Sequence, residues 1–273
     1  MPWTRLFGRG PNAVLAAAVL NTSLFSAAVF GAAAVTTVVA GPEAAAQGAI
    51  VGGEKASLAD YPYAVYLVDD AGTQFCGGVI VGSSAVATAA HCAEAVATKD
   101  IRVVVGREDK RTNEGSTFAV TKAWVHPDFE KAEEGDDIAV LTVRGLLPGR
   151  AASVARDTDG YAPGTKATVL GWGRVADGGE RSDYLRSAVV PMVGDSTCEQ
   201  AYDSYDPASM VCAGYRQGGI DACKGDSGGP LVIGDTLVGI VSFGDGCAKP
   251  GKPGVYTRVT TFAGAIAQQT RGH

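Results

Sequence analysis

The run Asp221-Ala222-Cys223-Lys224-Gly225-Asp226-Ser227-Gly228-Gly229-Pro230 sets a serine between glycines, directly after an acid, with a cysteine and a second acid upstream. A serine hydroxyl is a poor nucleophile in water. It becomes reactive where the backbone bends sharply, exposes the oxygen and aims free N–H groups at one point. Flanking glycines permit such a bend and a close approach of backbone to substrate. A base and an orienting acid must complete the set. His91 stands in Ala87-Thr88-Ala89-Ala90-His91-Cys92, and Asp137 stands in Asp136-Asp137-Ile138-Ala139-Val140-Leu141, at the mouth of an apolar strand. Taken singly these are a strand-end histidine, a turn acid and a turn serine. Taken jointly, in the order His, Asp, Ser, they are the parts of a nucleophilic hydrolase.

Gly225-x-Ser227-x-Gly229 also fits the nucleophile elbow of the α/β-hydrolases, whose chain order is Ser, acid, His and whose serine joins a strand to a helix. Here the only histidine after Ser227 is the terminal His273, and Pro230 begins a strand. That reading fails.

The elements around these residues are strands. From Ile50 onward, short β-branched runs bounded by Gly, Pro, Asp or Ser recur at Tyr63–Val68, Gly78–Val81, Ile101–Val105, Phe118–Val125 and Ile138–Val143. A loose stretch over about 147–164 follows, then a second series at Lys166–Leu170, Leu185–Val190, Pro230–Ile233, Leu237–Val241 and Gly254–Val259. No helix-period pattern alternates with them, which disfavours a parallel α/β sheet. Helical pieces are expected over 196–202 and near the C-terminus, where Phe262, Ala263, Ile266 and Ala267 follow Thr260 or Thr261 as cap. A formal charge of −6 without a basic stripe argues against a nucleic-acid partner.

The first residues read as a targeting segment. Arg5 and Arg9 precede an Ala/Val/Leu-rich run without charge up to Glu43, and Ala44-Ala45-Ala46 supplies the small-residue pattern of a cleavage site. A signal peptide over 1–46 and a short propeptide over 47–49 are expected, in preference to an uncleaved membrane anchor. Export implies an oxidising compartment, where Cys76, Cys92, Cys198, Cys212, Cys223 and Cys247 form three disulfides, of 15 conceivable pairings. With no Cys-x-x-Cys pair and three histidines, a zinc site is not expected, and no metal or other cofactor is assigned.

From Ile50 to about Gln268 the chain resembles the trypsin-like serine proteases of the chymotrypsin fold, and among them the bacterial secreted trypsins. The resemblance rests on Ile50-Val51-Gly52-Gly53, Thr88-Ala89-Ala90-His91-Cys92, Asp137-Ile138-Ala139-Val140-Leu141, Gly171-Trp172-Gly173, Gly225-Asp226-Ser227-Gly228-Gly229-Pro230 and Gly254-Val255-Tyr256, in that order. It implies an all-β fold of two antiparallel six-stranded β-barrels with a C-terminal α-helix. The protease domain would span 50–273, with barrels over about 50–147 and 164–259 and the helix over about 260–269. It also favours Asp137 over Asp136, because Asp137 directly precedes the strand.

On this resemblance the chain is a secreted serine endopeptidase. Ser227 is the nucleophile, His91 the general base and acid, and Asp137 the residue that orients it. Gly225 and Ser227 supply oxyanion N–H groups, and Ser242 supports the acid and lines the cleft. Asp221, six residues before Ser227, occupies the floor of the primary specificity pocket and selects Arg or Lys. Gly244 and Gly254 are the pocket walls. Ala222 lacks the hydroxyl found there in many trypsins, which predicts Arg over Lys. Phe243 stands where a tryptophan is usual, and Arg107 where calcium-binding trypsins carry a glutamate. A new N-terminus at Ile50 would pair with Asp226, although Ala49 offers no site for self-cleavage. The implied disulfides are Cys76–Cys92, Cys198–Cys212 and Cys223–Cys247. Implied partners are protein or peptide substrates with Arg or Lys at the cleaved bond and proteinaceous inhibitors, and the enzyme is expected to be a monomer. The contrasting reading is a catalytically inactive binding protein of the same fold, which normally shows a replaced triad member; none is replaced here.

Overall fold

The computed structural model describes residues 50–271, so the expected signal peptide and propeptide lie outside the described residues. After a two-residue strand β1 (Glu54–Lys55), six strands form a closed barrel: β2 (Ala64–Val68), β3 (Gln74–Gly82), β4 (Ala85–Thr88), β5 (Arg102–Val105), β6 (Ser116–Val125) and β7 (Ala139–Val143). Their order around the barrel is β2-β3-β4-β7-β6-β5, closed by pairing of β5 with β2. Strands β2, β4 and β7 are buried along their full length, as their Val-, Ala- and Leu-rich runs require. Helix α1 (Ala90–Ala95) follows β4 directly.

A second barrel follows. The short β8 (Ser153–Val154) runs parallel to one of its strands, outside the closed set. That set comprises β9 (Lys166–Gly171), β10 (Arg186–Val193), β11 (Met210–Ala213), β12 (Pro230–Ile233), β13 (Thr236–Phe243) and β14 (Gly254–Arg258). It runs β9-β10-β11-β14-β13-β12 and closes through β12 against β9. The expected pair of six-stranded antiparallel barrels is therefore the observed fold. Helix α2 (Asp195–Ala201) precedes β11, and α3 (Val259–Thr270) ends the described chain. No helix among the described residues is long and apolar enough to cross a membrane.

Three local expectations need correction. Strand β11 was not anticipated and β4 was marked only by its end before His91; their runs, Met-Val-Cys-Ala and Ala-Val-Ala-Thr, are diluted by alanine, unlike the equally short Arg-Val-Val-Val of β5. His91 lies in a helix, not at a strand end. The last helix begins at Val259 behind Arg258, so Thr260 and Thr261 lie within its first turn and neither caps it; Thr261 Oγ1 donates to the Ala208 carbonyl at 2.6 Å.

The barrels are fastened by each other's ends. Strand β1 pairs with β10, and Val51 bridges to Asp221, so the start of the described chain lies on the second barrel. Helix α3 reaches back to the first barrel. Phe262 packs edge-on against His126 at 5.1 Å, and Lys122 Nζ donates to Gln269 Oε1 at 3.4 Å. Across the seam Gly77 N donates to the Ser227 carbonyl at 2.7 Å, and Thr257 Oγ1 to the Asp137 carbonyl at 2.6 Å. Such bonds are worth about 1 kcal/mol each, and they tie the backbones of Ser227 and Asp137 each to the opposite barrel.

Candidate active site

Asp137 is almost wholly buried, so its charge demands partners. It has three. Oδ1 accepts the backbone N–H of His91 at 3.0 Å, and Oδ2 accepts from His91 Nδ1 at 2.8 Å and from Ser242 Oγ at 2.5 Å. The N-terminal placement of His91 in α1 turns both its backbone and its ring toward the acid. With a carboxylate on Nδ1, that nitrogen carries the proton and Nε2 is left as a base. Nε2 lies 3.5 Å from Cys92 Sγ, whose disulfide to Cys76 braces the helix. No hydrogen bond joins His91 to Ser227 in the free chain; such bonds often tighten only with substrate. Asp136 turns away, with its carboxylate 4.0 Å from His126 Nδ1.

The turn holding Ser227 is shaped by its own amides. Asp226 N donates to the Cys223 carbonyl, Gly228 N to Val241 and Gly229 N to Asp226. Among the described residues the N–H groups of Gly225 and Ser227 donate to nothing. Unpaired amides in a turn are costly unless an oxygen is brought to them, so both N–H groups are donors open to one. Gly225 adopts φ +100°, a conformation that a side chain would oppose.

One cavity of about 190 Å³ is lined by Asp221, Ala222, Ser227, Ser242, Phe243 and Gly254, with Gly244 beside them. The Asp221 carboxylate takes hydrogen bonds from Ala222 N at 2.7 Å and the Tyr256 hydroxyl at 3.2 Å. Burial pushes its pKa up to about 7, since these donors do not repay the lost hydration. A Cβ at Gly254 would lie 2.7 Å from Asp221 Oδ1, so the wall there must be glycine. Phe243 packs edge-on to Tyr202 at 5.7 Å, and together with Ser242 it continues the cleft toward His91. Disulfides join Cys223 to Cys247, on the cavity side, and Cys198 to Cys212, beneath β11.

Behind the turn lies Asp226, fully buried, its carboxylate held by Gly173 N at 2.7 Å and Cys223 N at 2.9 Å. Added Cβ atoms at Gly171 or Gly173 would fall 2.0 and 2.5 Å from that carboxylate, which explains the glycines on both sides of Trp172. Burial raises the Asp226 pKa to about 6. Ile50 is also fully buried, in the core of the second barrel, at φ +54°.

The raised pKa values of Asp221 and Asp226 set the sign of a stability change. Between about pH 4, where an unfolded carboxyl ionises, and pH 6 to 7, the folded chain keeps protons that the unfolded chain has lost. Stability therefore falls as pH rises through this window, by an amount on the order of a few kcal/mol. Urea unfolding at pH 5 and pH 8 is expected to show the lower midpoint at pH 8, with the difference reduced in Asp221→Asn. An equal midpoint difference in the two proteins would contradict it.

Two contributors escaped the sequence. Gln74, buried, donates from Nε2 to the Gly225 carbonyl at 3.2 Å, and Thr257 holds the Asp137 backbone. Their positions, two residues before Cys76 and one after Tyr256, were the only available hints.

Comparison with known proteins completes the picture. The family model described as Trypsin matches residues 50–266. The protein called Trypsin from Saccharopolyspora erythraea is 47% identical over 221 residues, covering 81% of this chain and 97% of that one. Trypsin-1 of Astacus astacus is 38% identical, covering 77% of this chain and 95% of its own. Serine protease 56 of Mus musculus is 36% identical over 82% of this chain but only 39% of that longer protein.

Proposed function

The chain belongs to the trypsin family and is a trypsin-like serine endopeptidase, and from that premise we propose that it cleaves protein substrates after Arg, and less readily after Lys, through Ser227, His91 and Asp137. The observation that carries this reading is the single cavity shared by Ser227 and the buried, ionisable Asp221. A cationic side chain placed there would neutralise Asp221 and bring its own carbonyl to Ser227. A neutral one would leave the carboxylate unpaired.

In the proposed reaction Ser227 Oγ bonds to the scissile carbonyl carbon while its proton passes to His91 Nε2. The carbonyl oxygen, now negative, is received by the N–H groups of Gly225 and Ser227, each worth about 3 kcal/mol in comparable sites. The C–N bond breaks as His91 returns the proton to the departing amine. Water then repeats the sequence on the acyl-enzyme and releases the acid. Asp137 stabilises the imidazolium throughout. A fluorophosphonate is expected to label the protein at one site, with no labelling in Ser227→Ala. An unlabelled native protein would instead be an inactive binding protein of this fold.

Activation and export belong to the same proposal. A mature chain starting at Ile50 would place an α-ammonium group near Asp226 and supply that carboxylate with a cation. The backbone supports this start: φ +54° is unfavourable for a β-branched residue, and cleavage before Ile50 abolishes the torsion. N-terminal sequencing of the active, exported enzyme should read Ile-Val-Gly-Gly; Gln47 as the first residue of fully active enzyme would refute it.

A further inference from the structure

A second cavity, of about 440 Å³, is lined in part by Gln74, the residue that reaches Gly225, and plays no part in the reaction above. Its wall carries Arg102, Arg107, Lys110 and Arg181 against only Asp69 and Asp70, an excess of positive charge in an otherwise acidic protein. The two acids are already engaged. Asp69 Oδ1 takes the N–H groups of Ala71 and Thr73, and Asp70 pairs with Arg102 at 3.1 Å. Arg107 donates to the Glu114 carbonyl. Lys110 and Arg181 are left without a carboxylate within salt-bridge distance among the described residues.

Both meet at Gln74. Lys110 Nζ donates to Gln74 Oε1 at 2.8 Å, and Arg181 Nη1 donates to the Gln74 carbonyl oxygen. Gln74 Nε2 passes the contact on to the Gly225 carbonyl at 3.2 Å. An ammonium group has three donors, and here one neutral acceptor serves it. Burial, with Arg181 close by, lowers the Lys110 pKa to about 8, although Asp183 and the buried Asp226 pull the other way from beyond salt-bridge distance.

We infer that this cavity is an oxyanion-binding subsite, centred on Lys110 and Arg181, for a carboxylate carried by the departing half of the substrate. The inference rests on the proposed active site for its direction. The acyl-side side chain enters the Asp221 cavity, so a peptide crossing Ser227 must lead its other half past Gly225. Arg181 borders that path, with Nε 3.0 Å from the position of a Cβ on Gly225. A bound carboxylate gives Lys110 its missing partner, and the Gln74 bridge connects that event to the turn bearing the oxyanion amides.

The test uses the mature enzyme and peptides with Arg at the cleaved bond and either Glu or Gln at the second or third residue beyond it. At one of these positions kcat/KM should favour Glu about 10-fold, the range of a charged hydrogen bond shielded from water. The ratio should approach one in Lys110→Met and recover in Lys110→Arg. A second arm compares sulfate with chloride at equal ionic strength. Sulfate that lowers the Glu preference while sparing a small Arg anilide, which has no departing peptide, supports a substrate-borne carboxylate. A ratio of one, together with a Tm raised by sulfate only when Lys110 is present, assigns the site to free anions and overturns the substrate role. A ratio of one with no sulfate effect overturns the subsite altogether. Hydrolysis of the anilide itself reports on the Arg-cleaving active site, so its failure is seen separately.

Discussion

Asp137→Asn is expected to lower kcat by about 10⁴ while leaving the fold intact. The reason is a count of donors. The His91 backbone N–H, the His91 ring and the Ser242 hydroxyl converge on two carboxylate oxygens. Asparagine offers one acceptor atom and one donor in the same space. If its oxygen meets the backbone N–H, its NH₂ group faces Nδ1 and forces the ring proton onto Nε2. The base is then blocked at the atom that must accept from Ser227. If the amide is flipped, the NH₂ group opposes the His91 amide and the helix start is disturbed. A loss of less than 10-fold, measured on an Arg ester or anilide at pH 8, would show that the acid is not needed to set the tautomer.

The second large effect is expected at Asp221. Replacing it by serine should reduce kcat/KM for Arg substrates by about 10⁴, the range seen when a buried polar recognition partner is lost. The same change relieves the free enzyme of a carboxylate that burial pushes toward neutral pH. The variant is thus predicted to be less active and more resistant to urea at pH 8, a combination that general misfolding cannot produce. Benzamidine, a planar cation, should raise the Tm of the unaltered protein and not of the variant. Ala222 refines the preference. A guanidinium group can span both oxygens of Asp221, whereas a shorter ammonium gains from an extra hydroxyl that alanine lacks. Ala222→Ser is accordingly expected to narrow the Arg-to-Lys ratio.

The residues proposed for the reaction were legible through residue type and order. Ser227 between glycines, His91 before a cysteine and Asp137 before an apolar strand could be picked out because the chemistry tolerates few substitutes. The barrels were legible wherever a strand concentrated β-branched or large aliphatic residues, as in β2, β7 and the four-residue β5 and β12. Strands β4 and β11 were faint, since alanine, with methionine and cysteine in β11, dilutes their β-branched content. Gln74 was silent for a different reason. Nothing in an isolated glutamine announces that its amide will span from Lys110 to Gly225, because that span depends on how two barrels dock. The helix cap misled because the helix starts at Val259, before either threonine, while the Thr261 hydroxyl donates to Ala208, 53 residues away.

The exchange of ends between the barrels has a further consequence. Strand β1 belongs by sequence to the first half yet pairs in the second, and α3 does the reverse. Each half is therefore an incomplete body that carries the other's clasp. A chain severed in the exposed stretch after Leu147 still holds two hooks for reassembly, so complementary fragments should find each other without a linker. Catalysis, which draws on both halves, would report their reunion, and this makes the molecule a natural candidate for a split sensor.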